Sequence, residues 1–178
     1  MRAIAWLVVV LGMAASVSAQ EIRNVRIDFG YGIAPALHTI GSGFRGIHAN
    51  VAAETRWGDF GLLYLSRVAP LQLYGPGNGQ SASTIALQIE KSWRSSRGQF
   101  TISGGLGIFS AKNTFYSYDW LTFTQSVFTE TYASVAFPIG MRMCWYFTEH
   151  FGAGAAILGA YVPDNSYVGL HLFVRVGL

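Results

Sequence analysis

The final twelve residues, 167–178, constrain this chain more than any other stretch. Val168, Leu170, Leu172, Val174, Val176 and Leu178 are apolar at every second position, with Gly169, His171, Phe173, Arg175 and Gly177 between them. Such alternation marks a β-strand, because successive side chains leave a strand on opposite faces. A strand with one face in a soluble core can offer a wholly polar face to water. Here the second face mixes two basic residues, two glycines and a phenylalanine, as a narrow polar interior would. The stretch predicts the last strand of a closed barrel whose apolar face meets lipid.

The front of the chain predicts export. Met1-Arg2, an apolar run over 3–15 and Ser16-Val17-Ser18-Ala19-Gln20 have the charged start, short apolar centre and small-residue cleavage site of a secretory signal, with cleavage expected before Gln20. Thirteen apolar residues fall short of the roughly 20 that span a bilayer as a helix. Residues 1–19 are therefore read as a signal peptide and 20–178 as one domain. The rest of the chain has no apolar run long enough for a membrane helix, yet the sequence is 51% hydrophobic and only 12% charged. A barrel explains both, since one residue in two faces lipid. The net charge of +3 gives no reason to expect nucleic acid as a partner. The single Cys144 excludes an internal disulfide and a cysteine-based zinc cluster.

Eight alternating segments follow in order. They cover 24–33, 44–57, 60–68, 83–93, 99–108, 134–145, 151–162 and 167–178. In 60–68 apolar residues occupy both faces, so the pattern does not say which set faces lipid. Tight turns are expected at 58–59, 94–98 and 148–150, and longer connections at 34–43, 69–82, 111–130 and 163–166. Pro138 inside a strand suggests a bulge. Trp57, Phe60, Trp93, Phe100, Trp145 and Phe151 lie beside the short turns, and Tyr31, Phe44, Phe109, Tyr161 and Tyr167 beside the long ones, which predicts two aromatic girdles. The fold expected is all-β: a monomeric eight-stranded antiparallel up-and-down transmembrane β-barrel. A soluble eight-stranded barrel would carry its charges outside and its aliphatic residues inside.

The signal peptide ending Ser18-Ala19-Gln20, the eight strands, Phe137-Pro138-Ile139-Gly140 and the closing Phe173-Val174-Arg175-Val176-Gly177-Leu178 resemble the small porin-like outer-membrane β-barrel proteins of OmpA/OmpX-type architecture. The resemblance covers the whole of 20–178. It implies residence in the outer membrane of a Gram-negative-type bacterium, contact with outer-membrane lipid and recognition by the outer-membrane assembly machinery. Such barrels commonly end in an aromatic residue, where this chain has Leu178.

Two groups of residues are candidates for function. Glu54, Glu90, Arg142 and Arg175 each lie three residues before Trp57, Trp93, Trp145 and Leu178, an offset that reverses the face and turns all four inward. With Arg26 and Asp28 they are expected to form a neutral paired network that closes the lumen, and pairing of the first and last strands should bring Arg175 to Asp28. An unpaired charge in so narrow a space is costly. The second group is an aromatic cluster, Phe115, Tyr116, Tyr118, Trp120 and Phe123, in the longest connection. It is a candidate surface for a partner whose identity the sequence does not name. His48 and His171 also face inward, but no third ligand stands at metal spacing, and neither a metal nor any other cofactor is expected. His48, Glu54 and a lumen serine could form a hydrolytic triad, but no motif places them together, so no enzymatic activity is expected. These readings describe a structural or surface-interaction protein, with a narrow channel for small solutes as the alternative.

Overall fold

The structure, a computed structural model, describes residues 24–34, 45–55, 58–68, 79–119, 121, 124–163 and 165–177, with the backbone alone at 79–80, 115–119 and 124–125. Its strands are β1 (Asn24–Ile33), β2 (Arg45–Thr55), β3 (Gly58–Val68), β4 (Gly79–Arg94), β5 (Gly98–Asp119), β6 (Thr124–Tyr146), β7 (Phe151–Tyr161) and β8 (Tyr167–Gly177). Each pairs antiparallel with the next, and β1 closes on β8, giving an eight-stranded barrel in chain order. The described residues contain no helix long and apolar enough to cross a membrane.

The wall separates the two faces as the alternation requires. Ile89, Leu172, Ile139, Leu106 and Ile108 stand exposed on the outside, with Leu172 71% exposed. Arg26, Asp28, His48, Asn50, Glu90, Arg142, His171 and Arg175 are buried inside. This inverts the arrangement of a soluble barrel, and hydrocarbon is the environment that such a wall suits. Inside, two apolar clusters share the lumen with the polar residues. One joins Leu65, Phe109, Ala111, Ala136, Ala160, Val162 and Tyr167, and the other Cys144, Ala156, Leu158 and Phe173.

The structure settles the phase of β3. Asp59, Gly61, Leu63, Leu65 and Arg67 face the lumen, and Phe60, Tyr64 and Val68 face outward. Asp59 and Arg67 share one parity, and a charge costs far less in a polar lumen than in lipid, so they decide what the aliphatic residues leave open.

Several boundaries differ from those expected. No turn stands at 58–59 as expected, because Gly58 pairs with Thr55 and both Gly58 and Asp59 belong to β3. Gly58 takes φ +141, a value suited to glycine, and its carbonyl accepts the Thr55 hydroxyl at 2.8 Å. Strand β4 begins at Gly79, within the connection expected over 69–82. The connection expected over 111–130 is mostly strand, since β5 and β6 stay paired from Ala111↔Tyr132 to Asp119↔Thr124. Its Thr, Tyr and Phe residues favour extended pairing, which composition alone did not separate from a loop. Pro138 causes no bulge: Gly104 pairs with Ile139 and Gly107 with Ala136, so the register is unchanged across it. Proline has no N–H to give, and Pro138 still stands opposite Ala160 of β7.

The girdles need one correction. Phe109 and Tyr167 point into the lumen, at 0% and 2% exposure, because each shares the parity of its strand's inward residues. Tyr31, Phe60, Trp93, Phe100, Trp145, Phe151 and Tyr161 do stand outside. Trp57 and Phe44 lie outside the described residues.

Candidate functional site

The lower lumen is built around a string of alternating charges. Asp59 Oδ2 accepts from Arg26 Nη2 at 2.9 Å, and the same nitrogen donates to Glu90 Oε2 at 2.5 Å. Glu90 Oε1 accepts from Arg142 Nη2 at 2.7 Å, and Arg142 Nη1 reaches Asp28 Oδ2 at 3.3 Å. Asp28 then takes a two-pronged contact from Arg175, Nε to Oδ1 at 2.6 Å and Nη2 to Oδ2 at 2.7 Å. The string reads Asp59, Arg26, Glu90, Arg142, Asp28, Arg175, and its formal charge is zero. It crosses the barrel from β3 through β1, β4 and β6 to β8.

Uncharged groups add to it. Gln88 Oε1 and Ser103 Oγ accept from Arg142 Nη2 at 3.1 and 3.0 Å, and Asn50 Nδ2 donates to Glu90 Oε1 at 3.1 Å. Gln99 Oε1 accepts from both Arg175 Nη1 and the Tyr146 hydroxyl. Ser92 donates to Asp59 at 2.9 Å. Arg142 and Arg175 are 1% and 0% exposed. Charges buried to this degree are tolerated where each meets an opposite charge, and the pairing holds although Arg26 Nε and Arg142 Nε make no hydrogen bond.

Above the string lies a histidine layer. His48 and His171 meet with Nδ1 atoms 3.3 Å apart and rings at 80°, and Phe173 packs edge-on against His48. Glycines make the room: a Cβ on Gly30 would stand 2.1 Å from His48 Cε1, and one on Gly32 2.8 Å from His171 Cγ. Above that, the Arg67 guanidinium lies 3.9 Å from the centre of the Tyr167 ring, and the Tyr167 hydroxyl meets Thr84 Oγ1 at 2.8 Å. Paired charges, imidazoles set edge-on and an arginine against an aromatic ring thus occupy successive levels of the lumen.

Beyond the barrel, β5 and β6 continue as a hairpin. Strand β7 joins β6 only from Phe137, and β4 follows β5 as far as Thr114. Residues 126–133 of β6 are all exposed, Val127 and Phe128 among them, and the Tyr132 hydroxyl donates to the Pro163 carbonyl at 3.2 Å. Among the described residues no strand covers the outer edge of β6 from 124 to 136.

The chain has the fold of the small eight-stranded outer-membrane barrels. Similar solved structures include the Neisserial surface protein A, NspA, at TM-score 0.61 and 14% identity over 86% of this chain and 95% of that one. Ail, the attachment invasion locus protein of Yersinia pestis, matches at TM-score 0.56 and 12% identity over 87% and 98%. The N-terminal β-barrel domain of Pseudomonas aeruginosa OprF matches at 0.52 and 15% over 89% and 100%. No family model matches the sequence, and no curated protein matches it. At these identities the likeness is one of fold.

Within this outer-membrane barrel fold, five of the six charges singled out from the sequence, Arg26, Asp28, Glu90, Arg142 and Arg175, meet in one string. Glu54 does not join them. It accepts from Asn24 Nδ2 at 3.2 Å and lies 3.7 Å from Arg94 Nη2 at the partly exposed rim. Its distance in sequence from Trp57 defines its face, but strand tilt and stagger decide its depth. Asp59 takes the place expected for it, and the turn placed at 58–59 is what concealed Asp59 in the sequence. Asn50, Gln88, Gln99 and Ser103 were also missed, although each has the inward parity of its strand. His48 meets His171 and Phe173, while Glu54 lies at the rim, so the residues considered for a triad are not brought together. No group of three potential metal ligands occurs among the described residues. Of the aromatic cluster, Phe115, Tyr116 and Tyr118 lie on the paired part of β5 with their side chains outside the described residues, as are Trp120 and Phe123 altogether.

Proposed function

We propose that this chain is exported with cleavage of residues 1–19, inserts into a bacterial outer membrane and serves there as a surface-interaction barrel rather than a channel. The string from Asp59 to Arg175 carries this reading. A pore lined for solute passage offers its charges to water, whereas these are spent on one another across the lumen. Among the described residues, what remains available is the hairpin, with exposed residues on both faces of β6 and an uncovered edge.

The hairpin chemistry favours a protein surface as partner. Over 111–133 the only charged residues are Lys112, Asp119 and Glu130, a net of −1, amid Tyr, Phe, Thr and Ser. Ail has been solved with the heparin analogue sucrose octasulfate, but a segment with one cation and two anions is poorly suited to a polyanion. The aromatic residues supply the contact area that protein interfaces use. Two measurements test the reading. Wild-type protein in planar bilayers should show no steady conductance, and bacteria displaying a variant lacking 115–128 should lose binding to host-cell surfaces while the barrel still inserts. Steady channels from the wild type, or undiminished binding by the shortened variant, would overturn it.

A further inference from the structure

On the lipid-facing wall near the 95–97 turn, a notch of about 480 Å³ is lined by Gly58, Ile89, Glu90, Lys91, Ile102, Ser103 and Gly104. The register explains its shape: Ile89 stands opposite Gly104, and Lys91 opposite Ile102, so one outward position among large aliphatic neighbours is empty. A Cβ added at Gly104 would meet nothing within 4 Å. Contrast Gly30 and Gly32, whose missing side chains make room for histidines. Glycine in a strand costs conformational entropy and gives up packing, and among the described residues nothing occupies the space that Gly104 leaves.

One charge faces the notch. Glu90 turns into the lumen, where it binds Arg26 and Arg142, so Lys91 presents the cation alone. Lys91 is exposed and forms no ion pair among the described residues. It lies two positions from Trp93, whose ring stacks on Phe100 with centroids 5.8 Å apart and marks the membrane interface on this side. Two residues of a strand tilted by 35–45° correspond to roughly 5 Å of depth. A lysine stem covers that distance along the wall and brings its ammonium to the level of lipid phosphates.

We infer that Lys91 and the Gly104 notch form a site for one phospholipid of the leaflet on the short-turn side, its phosphate on the Lys91 ammonium and the upper part of an acyl chain against Gly104, Ile89 and Ile102. A freely solvated anion would satisfy the ammonium but leave the apolar notch uncovered, and an uncharged lipid would do the reverse. A phospholipid does both.

Native mass spectrometry of the purified full-length protein tests this with three probes: dioleoyl phosphatidylglycerol, dioleoylglycerol and glycerophosphate. The wild type should retain one phosphatidylglycerol at activation energies that strip the other two. Lys91→Gln should reduce that retained fraction at least fivefold, and Gly104→Leu, which fills the notch, should reduce it comparably. Equal retention of dioleoylglycerol or glycerophosphate, or undiminished phosphatidylglycerol on Lys91→Gln, would overturn the site. If Gly104→Leu fails to assemble, Lys91→Gln decides alone, because the Lys91 side chain contributes to no ion pair among the described residues.

Discussion

In the lower lumen each charge from Asp59 to Arg175 lies within 3.3 Å of an opposite one, while at the hairpin Lys112 and Glu130 stand exposed on strands with few neighbours. Both regions are built from paired antiparallel strands. They differ in surroundings. Eight strands enclose the string and exclude water, so each ion must find its counter-ion within the protein. The hairpin is two strands wide at its end, and water satisfies whatever the chain does not. A closed lumen rewards complementarity and penalises any single deletion. An open hairpin tolerates change and is free to meet something else.

This contrast breaks most sharply at Arg142, in the middle of the string. Arg142→Ala leaves Asp28 and Glu90 with one arginine partner each and should destabilise the barrel by about 3–5 kcal/mol, the usual cost of breaking a buried ion pair. Unfolding by urea in detergent, followed by heat-modifiable gel mobility, would measure it; a loss under about 1 kcal/mol would mean that water already enters the layer. Next in size comes the histidine layer. Gly30→Ala drives a methyl against His48 and should cost about 1–3 kcal/mol, as overpacking does. The double variant Gly30→Ala, His48→Ala should recover part of that loss in the same unfolding assay, and a double variant no more stable than the single would place the strain elsewhere.

At the rim the effect should nearly vanish. Glu54 and Arg94 are 33% and 51% exposed in their side chains at a separation of 3.7 Å, so Glu54→Gln should change stability by less than about 0.5 kcal/mol. Glu90→Gln, by contrast, removes a charge shared by Arg26 and Arg142, and the ratio of the two losses sharpens the distinction between rim and string. The smallest effect on the barrel should come from removing 115–128. The truncated protein should melt within a few degrees of the wild type, and a large drop would show that the hairpin braces the barrel instead of projecting from it.

The fold was legible because its signal is periodic. Alternation survives in nearly every strand, and the need to keep Arg26, Asp28, Glu90, Arg142 and Arg175 out of lipid fixes their face without reference to any neighbour. The pairing of Asp28 with Arg175 could also be anticipated, since a closed barrel must join its first and last strands. Depth was less accessible. Glu54 has the expected face but lies too close to the rim, and Asp59 was hidden by a turn placed on residues that belong to β3.

The residues alone therefore determined an alternating, eight-stranded chain with apolar residues outward and charges inward, because the period of a strand is a local property of L-amino acids. Only the tertiary structure decided which inward charges meet, that two histidines rest on glycines, that the stretch over 111–130 continues as a hairpin, and that Gly104 opens a notch beside Lys91. Each of these depends on the register and stagger of neighbouring strands, and those are set collectively when the barrel closes.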